Sequence, residues 1–191
     1  AKMTPVITDE NFYCQHLFDS ESNLVAIQDF FVSQPTGKGL ELYLKNSASS
    51  EEGVGSARTY IVKSKMTDEI AAYFSLRSGL FTVSATEDYF HTISAVELSN
   101  FAVNSAFRKK FPHMEKIGRA VFTDFILPIV DSARTVIGIQ ALYIYALPEE
   151  HLIEYYKSLG FERLEIDEEQ FVHQHVKPKY DEGCIFMYQL L

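Results

Sequence analysis

One carboxylate stands in an otherwise apolar stretch of the chain, which reads AVELSNFAV from Ala95 to Val103. The composition of this stretch predicts a β-strand, and strand alternation puts Glu97 on the same face as Ser99 and Phe101. A carboxylate in such a strand costs free energy unless it has a partner or a chemical role. Two interpretations stay open: Glu97 accepts a proton as a general base, or it forms an ordinary ion pair.

A second feature with chemical potential follows that strand, where a charged loop leads into a helix that starts beside Gly118. The first backbone amides of a helix have no acceptor within it, and the helix dipole adds partial positive charge at the same end. A phosphate is therefore the natural occupant of this position. We predict the helix from about Ile117 to Ala133, with a kink at Pro128 and a buried stripe every four residues, formed by Ile117, Val121, Phe125 and Ile129.

The elements around these residues predict a mixed α/β fold. The helix leads to a second apolar stretch, ALYIYALP, and then to a helix over Glu149–Leu159 that Gly160 closes. A strand–helix–strand crossover of this kind normally pairs parallel strands. We therefore expect a central, mostly antiparallel mixed sheet with one parallel crossover pair, flanked by helices.

The rest of the chain is predicted to complete one domain over residues 1–191. We expect a hairpin of Arg58–Lys63 with Ile70–Leu76 and a last strand at Ile185–Leu190. A helix capped by Asp19 or Ser20 should run to about Phe31, with a second piece at Leu40–Leu44. Three segments are predicted to be irregular: a mobile loop at 46–56, an excursion at 77–92 and a long turn at 167–183.

Composition bounds the function. Hydrophobic residues make up 47% of the 191 positions and charged residues 23%, which is typical of a globular protein. The formal net charge of −9 disfavours a broad nucleic-acid surface, although Arg108, Lys109 and Lys110 form a local basic group. No apolar run reaches the roughly 20 residues of a membrane span, and the two cysteines suit a reducing compartment. We expect a cytoplasmic protein with free thiols and no membrane association.

Other motifs favour ordinary structural roles. His173 and His175 lie two apart without a third ligand in the sequence, so they are expected to be surface residues. The glycines of the Gly53–Ser56 segment do not follow a strand, which argues against a nucleotide loop. Cys14 and Cys184 have no basic neighbour in sequence and are expected to be packing residues. We therefore predict no metal site.

The order of these elements resembles the GNAT superfamily of acetyl-CoA-dependent N-acetyltransferases over roughly Asp19 to Phe161. Its most specific part is YYKSLGF, Tyr155 to Phe161, which is similar to the superfamily's FY-x-x-x-GF segment. The phosphate loop Gln/Arg-x-x-Gly-x-Gly/Ala is only partly present: Gly118 is kept, His113 replaces Gln or Arg, and Lys116 replaces the first Gly. The pieces FDSESN, ARTYIV, AAYFSL and IGIQALYIYAL also resemble toxin-type acetyltransferases that act on charged tRNA.

The resemblance implies a role for each candidate site residue. Acetyl-CoA would be the co-substrate, with its pantetheine on the main chain of Phe101, Ala102 and Val103. Its pyrophosphate would sit on the backbone amides of Glu115, Lys116, Ile117, Gly118 and Arg119, and Arg108 matches the superfamily's arginine after the central strand. Lys116 and Arg119 could add charge-assisted contacts that offset the missing glycine, or they could be solvated surface charges. Glu97 falls where histone-type members carry their basic glutamate.

Tyr156 matches the superfamily's tyrosine on the helix after the second strand, which implies that it protonates the leaving thiolate. A phenol suits this role because its pKa near 10 is close to that of a thiol. The alternative is a packed aromatic that holds its helix on the sheet. A water relay could replace Glu97 as the base.

Three hypotheses follow for the function. The first is N-acetylation of a primary amine, carried by a small molecule or a peptide, by direct attack on the thioester. The second is a toxin-type acetyltransferase on aminoacyl-tRNA, which the acidic balance disfavours. The third is a non-catalytic acyl-CoA-binding or interaction module. Nucleic acid is therefore not expected as a partner. The oligomeric state stays open, with a homodimer as one alternative, since superfamily members often pair through sheet edges.

Overall fold

The computed structural model describes residues 7–86, 89–175 and 183–191. In these ranges the strands form one sheet in the order β1-β2-β3-β4-β5-β6-β8-β7. Their bounds are β1 (Ile7–Thr8), β2 (Phe12–His16), β3 (Arg58–Ser64), β4 (Ile70–Thr86), β5 (Tyr89–Val103), β6 (Ala141–Ala146), β7 (Glu162–Arg163) and β8 (Ile185–Leu190).

The helices of the described residues lie between strands, after β2, β5, β6 and β7. They are α1 (Glu21–Ala26), α2 (Lys38–Asn46), α3 (Ala48–Val54), α4 (Ser105–Lys110), α5 (Ile117–Val121), α6 (Leu127–Arg134), α7 (Glu150–Ser158) and α8 (Ile166–His175). Short 3-10 turns lie at Leu17–Asp19, Ile27–Asp29 and Pro35–Gly37, and a π-helical turn at Phe122–Ile126 connects α5 to α6.

The predicted fold class is confirmed. β5 and β6 pair in parallel with Ala95 opposite Ala141 and Glu97 opposite Tyr143. The other described pairs are antiparallel: β1–β2, β2–β3, β3–β4, β6–β8 and β7–β8. The hairpin of β3 with β4 and the last strand, β8, are also present as predicted.

The chain divides into two compact units. The first comprises Ala1–Arg77 with Asn100–Ile129, and the second comprises Ser78–Ser99 with Val130–Leu191. The prediction of one domain stays a prediction, and each unit is described by itself below.

The core of the first unit packs the early helices against β3 and β4. Tyr73 is its largest fully buried side chain, and its ring meets Phe30 edge-on at 5.2 Å between centroids. The Tyr73 hydroxyl donates to the Leu40 carbonyl at 2.5 Å, so its polar atom has a partner inside the core. The buried members of this cluster are Leu17, Ile27, Phe30, Val32, Leu44, Ala48, Ile61, Ile70, Tyr73 and Ala102.

The core of the second unit is rich in aromatic rings. Phe81 is fully buried and packs at 5.1 Å from Phe186 and 5.8 Å from Tyr143, measured between ring centroids. Both contacts are edge-on, the arrangement that the ring quadrupole favours. The buried members are Phe81, Ala95, Ala141, Tyr143, Leu164, Val172 and Phe186.

The end of the central strand is tied to its neighbours by Asn104. Its side-chain amide donates to the Ile70 carbonyl at 2.8 Å, while its Oδ1 accepts from the amides of Phe31 at 3.3 Å and Ala106 at 3.1 Å. The last of these bonds is an N-cap, which satisfies one of the unpaired amides at the start of α4. One buried side chain therefore ends β5, starts α4 and holds the segment around Phe31.

The prediction of a mobile loop at 46–56 is wrong. Most of it forms α3, in which Ala48 is fully buried and Glu52 is 9% exposed. The Glu52 carboxylate accepts from the Thr59 amide at 2.7 Å and from Arg58 at 3.2 Å, so contacts outside the segment stabilise a helix of low intrinsic propensity.

The predicted boundaries of the first helix are also corrected. Ser20 caps it as predicted, with its hydroxyl accepting from the Ser22 amide at 3.2 Å. The α-helix ends at Ala26, and a 3-10 turn follows. Phe30 is fully buried whereas Phe31 is 44% exposed, because the tighter turn shifts which aromatic ring faces the core.

Two further segments that are predicted to be irregular form regular secondary structure. Residues predicted as an excursion at 77–92 continue β4 to Thr86 and begin β5 at Tyr89. The first part of the predicted long turn is α8, Ile166–His175, whose Val172 is fully buried. Residues 176–182, where the rest of that prediction falls, lie outside the described residues.

The long helix begins at Ile117 as predicted, but its buried stripe differs. Ile117, Val121 and Phe125 are buried, whereas Ile129 is half-buried and Val130 takes its place. A π turn has more residues per turn than an α-helix, so the turn at Phe122–Ile126 moves the stripe by one position. Pro128 lies two residues beyond its end and has no amide hydrogen to donate.

We predict that Asn104→Ala lowers the free energy of unfolding by about 2 kcal/mol, because it leaves the amides of Phe31 and Ala106 without their acceptor. Urea denaturation measures this loss. Asn11→Ala, at an exposed side chain, should change stability by less than about 0.5 kcal/mol. An equal loss in both variants would contradict the role assigned to Asn104.

Glu41 predicts a pH dependence of stability. The ammonium of Lys38 at 2.6 Å, with the Val32 amide at 2.9 Å and Lys45 at 3.0 Å, lowers the pKa of Glu41 to about 2. A lowered pKa stabilises the fold above the unfolded value of 4.5, and this contribution is lost as the pH falls towards 2.

Glu41→Gln should therefore cost about 1 kcal/mol at pH 7, after allowance for solvent screening at Lys38, and progressively less below pH 4.5. Urea denaturation across this pH range measures the difference. Glu154→Gln, which removes an exposed pair with Lys157, serves as the control. A cost that does not change between pH 7 and pH 2.5 would contradict the assignment.

Candidate active site

The three candidate pantetheine residues form the end of β5 in the first unit. Ala102 is 9% exposed and packs into the core of that unit, while Phe101 and Val103 are half-buried. The strand therefore has one face in the core and a more accessible face that bears Phe101 and Val103. Directly after it, the Asn104 amide donates to the Ala71 carbonyl at 2.8 Å, which holds the end of the strand.

The basic group lies on α4. Arg108 and Lys109 are exposed, and all three basic residues occupy the last turn of the helix, where the dipole favours positive charge. Lys110 forms an ion pair with Glu69 at 2.7 Å, which lowers the pKa of that carboxyl. Part of this positive charge is therefore compensated within the chain.

The predicted phosphate corner lies between α4 and α5. Lys116, which stands where the superfamily carries its first glycine, has φ 55° and ψ 31°, in the left-handed region. The position thus keeps the conformation that favours glycine, even though the side chain is lysine.

The rest of the corner is open at the surface. Glu115, Lys116 and Arg119 are exposed, Gly118 is half-buried, and Ile117 anchors the helix start with 3% exposure. The Glu115 amide already donates to the His113 carbonyl at 3.1 Å. Lys116 and the residues after it are therefore the better candidates to offer amides to an anion.

Tyr156 is positioned by the end of α7 in the second unit. The Gly160 amide donates to the Lys157 carbonyl at 3.0 Å and the Phe161 amide to the Tyr156 carbonyl at 3.1 Å. With φ 97° at Gly160, this is a Schellman motif, and the expected apolar contact is present as Phe161 against the Tyr156 ring at 5.7 Å. The sequence YYKSLGF thus fixes the backbone of Tyr156 locally.

The surroundings of Tyr156 keep its hydroxyl protonated. Burial raises the pKa of Tyr156 well above 10, and the neighbouring Tyr155 adds to the effect. A raised pKa keeps the proton on the phenol at neutral pH, and it also makes the phenol a weaker acid than the value near 10 that matches a thiol. The aromatic contacts are also those of a packing residue, so both interpretations of Tyr156 stay open.

Glu97 is 8% exposed in the second unit. Its neighbour across the parallel pair is Tyr143, whose hydroxyl donates to Glu97 Oε2 at 3.4 Å. Burial raises the pKa of Tyr145, and the negative charge of Glu97 raises it further. The Glu97 carboxylate therefore interacts electrostatically with Tyr145 as well as with Tyr143.

The remaining candidates lie elsewhere. His173 and His175 are on α8, where His173 is 3.7 Å from Glu169 and His175 stacks on Phe171 at 4.0 Å. Cys14 and Cys184 are buried and are not joined in a disulfide, as predicted. Burial raises the pKa of Cys14, which opposes a nucleophilic role. Within the described ranges, no group of three His, Cys, Asp or Glu residues is placed to hold a metal ion.

The structure thus brings the predicted site residues together in two groups. Phe101–Val103, Arg108 and Glu115–Arg119 belong to the first unit, whereas Glu97 and Tyr156 belong to the second. Asn104 was missed by sequence reasoning. Its signal was available, because asparagine directly after an apolar strand is a strong helix N-cap residue.

Solved structures share this fold. A mutant of the AtaT toxin bound to the C-terminus of the antitoxin AtaR and acetyl-CoA matches with a TM-score of 0.66 and 19% identity, over 95% of this chain and 94% of that one. A mutant of KacT matches with a TM-score of 0.67 and 16% identity, over 95% of each chain. AtaT complexed with acetyl-methionyl-tRNAfMet matches with a TM-score of 0.64 and 20% identity, over 92% of this chain and 93% of that one.

The fold is GNAT-like. The resemblance drawn from YYKSLGF and the order of elements is confirmed at the level of fold by these matches. No family model matches the chain. Among the described residues, no helix is both long and apolar enough to cross a membrane.

The backbone at Lys116 gives a prediction that does not depend on function. Lys116→Gly should exceed Lys116→Ala in free energy of unfolding by about 1 kcal/mol, because alanine is strained in the left-handed region and glycine is not. Both variants remove the same charge, so urea denaturation isolates the backbone effect. If Lys116→Ala were the more stable variant, the left-handed conformation would be disproved.

Proposed function

We propose that this chain is an acetyl-CoA-dependent N-acetyltransferase whose acceptor is the α-amino group of an aminoacyl-tRNA. The supporting observation is that the fold, over 92% or more of the chain, matches structures of AtaT with acetyl-CoA and with acetyl-methionyl-tRNAfMet. The sequence segments that resemble toxin-type acetyltransferases favour the same acceptor.

In this proposal the first unit binds acetyl-CoA. The main chain of Phe101–Val103 would hold the pantetheine, and the amides from Lys116 to Arg119 would hold the pyrophosphate. The exposed side chains of Lys116 and Arg119 would add charge-assisted contacts. The left-handed backbone at Lys116 supports this assignment, because it preserves at a lysine the geometry expected of the missing glycine.

The chemistry needs no protein nucleophile. The amine nitrogen attacks the thioester carbon, a C–N bond forms and the C–S bond breaks, and the sulfur leaves with the electron pair. Tyr156 would give its phenolic proton to the departing thiolate, and Glu97 or a water relay would take the proton that the ammonium loses before attack. The second proton, which the nitrogen loses as the amide forms, would pass to solvent. Bulk solvent then returns a proton to Tyr156.

The acidic composition of the chain restricts how it could bind a tRNA. The chain carries 26 acidic and 17 basic residues, so any contact with tRNA phosphates must be local. The exposed residues Arg108 and Lys109, with Lys116 and Arg119 nearby in sequence, are the candidate contacts. Such binding should weaken steeply with salt.

A small-molecule or peptide amine is the second candidate acceptor. The net charge of −9 favours a cationic acceptor over a polyanion. A non-catalytic acyl-CoA-binding module remains as the third interpretation, and the departures at His113 and Lys116 from the phosphate-loop pattern favour it. The experiments below separate all three.

Acetyl-CoA should raise the melting temperature of the protein. At 100 times Kd a ligand stabilises by about 2.7 kcal/mol, which for a chain of this length corresponds to roughly 5–10 °C. Differential scanning fluorimetry with acetyl-CoA, and with 3′-phosphoadenosine 5′-phosphate as a partial ligand, measures this shift. No shift at millimolar acetyl-CoA would reject the binding of that substrate and the proposed function with it.

Thiol release against a panel of acceptors then identifies the substrate class. We expect turnover with charged tRNA and none with the free amino acid, polyamines or peptides. Lys109→Glu together with Lys110→Gln, which leaves the candidate cofactor residue Arg108 in place, should lower kcat/KM for the tRNA about tenfold without changing the thermal shift by acetyl-CoA. Release with a small amine that this double variant leaves unchanged would establish the second candidate, and binding without release on any acceptor would establish the third.

Tyr156→Phe should lower kcat about 100-fold and leave the thermal shift by acetyl-CoA unchanged, because only the proton donor is lost. Tyr155→Phe is the matched control on the same helix and should retain near wild-type kcat. Equal kcat values for Tyr156→Phe and the wild type would make Tyr156 a packing residue.

A further inference from the structure

The second unit contains a three-residue arrangement around the Glu97 carboxylate. Glu97 and Tyr143 are directly opposite each other in the parallel pair of β5 and β6, so their side chains emerge on the same face of the sheet. The Tyr143 hydroxyl donates to Glu97 Oε2 at 3.4 Å, and both residues are buried, at 3% exposure for Tyr143 and 8% for Glu97.

Gly79 makes room for that hydroxyl. A Cβ atom placed on Gly79 would lie 2.2 Å from Tyr143 Oη and 2.9 Å from Cζ, distances at which the ring would have to move. Glycine within a strand often marks a place where another group approaches the backbone closely. The space beside Gly79 in β4 is therefore occupied by the end of the Tyr143 side chain.

The ring of Tyr143 is held on its other sides by aromatic contacts. Phe81 packs against it at 5.8 Å, Phe186 at 5.5 Å and Tyr145 at 6.0 Å between centroids. A ring so confined has few alternative rotamers, so its hydroxyl is fixed relative to the β5 backbone. A hydroxyl fixed in this way can set the orientation of a neighbouring carboxylate.

We propose that Tyr143 is a positioning residue that orients the Glu97 carboxylate for proton acceptance, and that Gly79 is the glycine this arrangement requires. The inference rests on the proposed function, in which Glu97 takes the proton from the ammonium. The hydrogen bond of 3.4 Å is longer than the usual hydroxyl–oxygen distance. Such bonds at catalytic groups often tighten only when the substrate is bound.

The test is a double-mutant cycle on kcat with the substrate that the acceptor panel identifies. Tyr143→Phe should lower kcat about tenfold and leave both KM for the acceptor and the thermal shift by acetyl-CoA unchanged. In a Glu97→Gln background, where a water relay carries the residual turnover, the same change should have no further effect. A purely structural role of Tyr143 would lower kcat by the same factor in both backgrounds.

Two more variants complete the design. Gly79→Ala retains the Tyr143 hydroxyl but displaces it, so its kcat should fall at least as far as that of Tyr143→Phe. Tyr188→Phe removes a hydroxyl from a tyrosine that packs on the same Phe81 ring at 5.5 Å, and it should leave kcat unchanged. If Gly79→Ala fails to fold, Tyr143→Phe and the cycle still decide the outcome.

The outcomes separate this inference from the proposed function. Turnover by the wild type with equal kcat in Tyr143→Phe, or with equal losses in both backgrounds, would overturn the role of Tyr143 alone. Full activity in Glu97→Gln would overturn it as well, by removing the group that Tyr143 orients. A wild type that neither binds acetyl-CoA nor releases its thiol would overturn both.

Discussion

The buried side chain of Asn104 is the constraint on which the first unit depends. It stands where the central strand stops, and its one carbonyl and one amide group serve three different segments of the chain. Because a buried amide left unsatisfied is costly, the strand can end only where all three partners are in reach. The position of α4, and the chain path from there to Lys116, follow from that meeting point.

Local sequence was sufficient for some elements and not for others. The closure of α7 by Gly160 and the hairpin of β3 with β4 follow from patterns contained within a few residues, and both predictions are confirmed. The stretch that forms α3 was misread because its Ser, Glu and Gly content is that of a loop. Its helix is stabilised by Glu52 bonding to Thr59 and Arg58, which propensity does not register.

In the candidate site, too, some features could be predicted from local sequence and others could not. Glu97 could be singled out from sequence, since a carboxylate within an apolar strand is conspicuous, but its partner could not. The pairing of Glu97 with Tyr143 depends on the register of two parallel strands that are separated by a long helix. Gly79 offered a signal, as a glycine inside a strand, yet what fills the space beside it becomes clear only from the coordinates. Lys116 is the opposite case: alignment to the phosphate-loop pattern located it, and its backbone is in the left-handed region, which glycine adopts without strain.

The π turn between α5 and α6 determines where this helix can lose one residue without turning its later side chains to another side. A helix with one such turn carries one residue more than an uninterrupted α-helix of the same span, so removing a residue from Phe122–Ile126 would restore α-helical spacing. The side chains that follow would still point to the same side of the helix as those of the first turns. Val130 would then stand eight residues after Val121, which is twice the four-residue spacing of the buried stripe. Natural relatives that lack one residue at this point would therefore still bury the same side of the helix, whereas a deletion anywhere else along it would rotate the following side chains by about 100°.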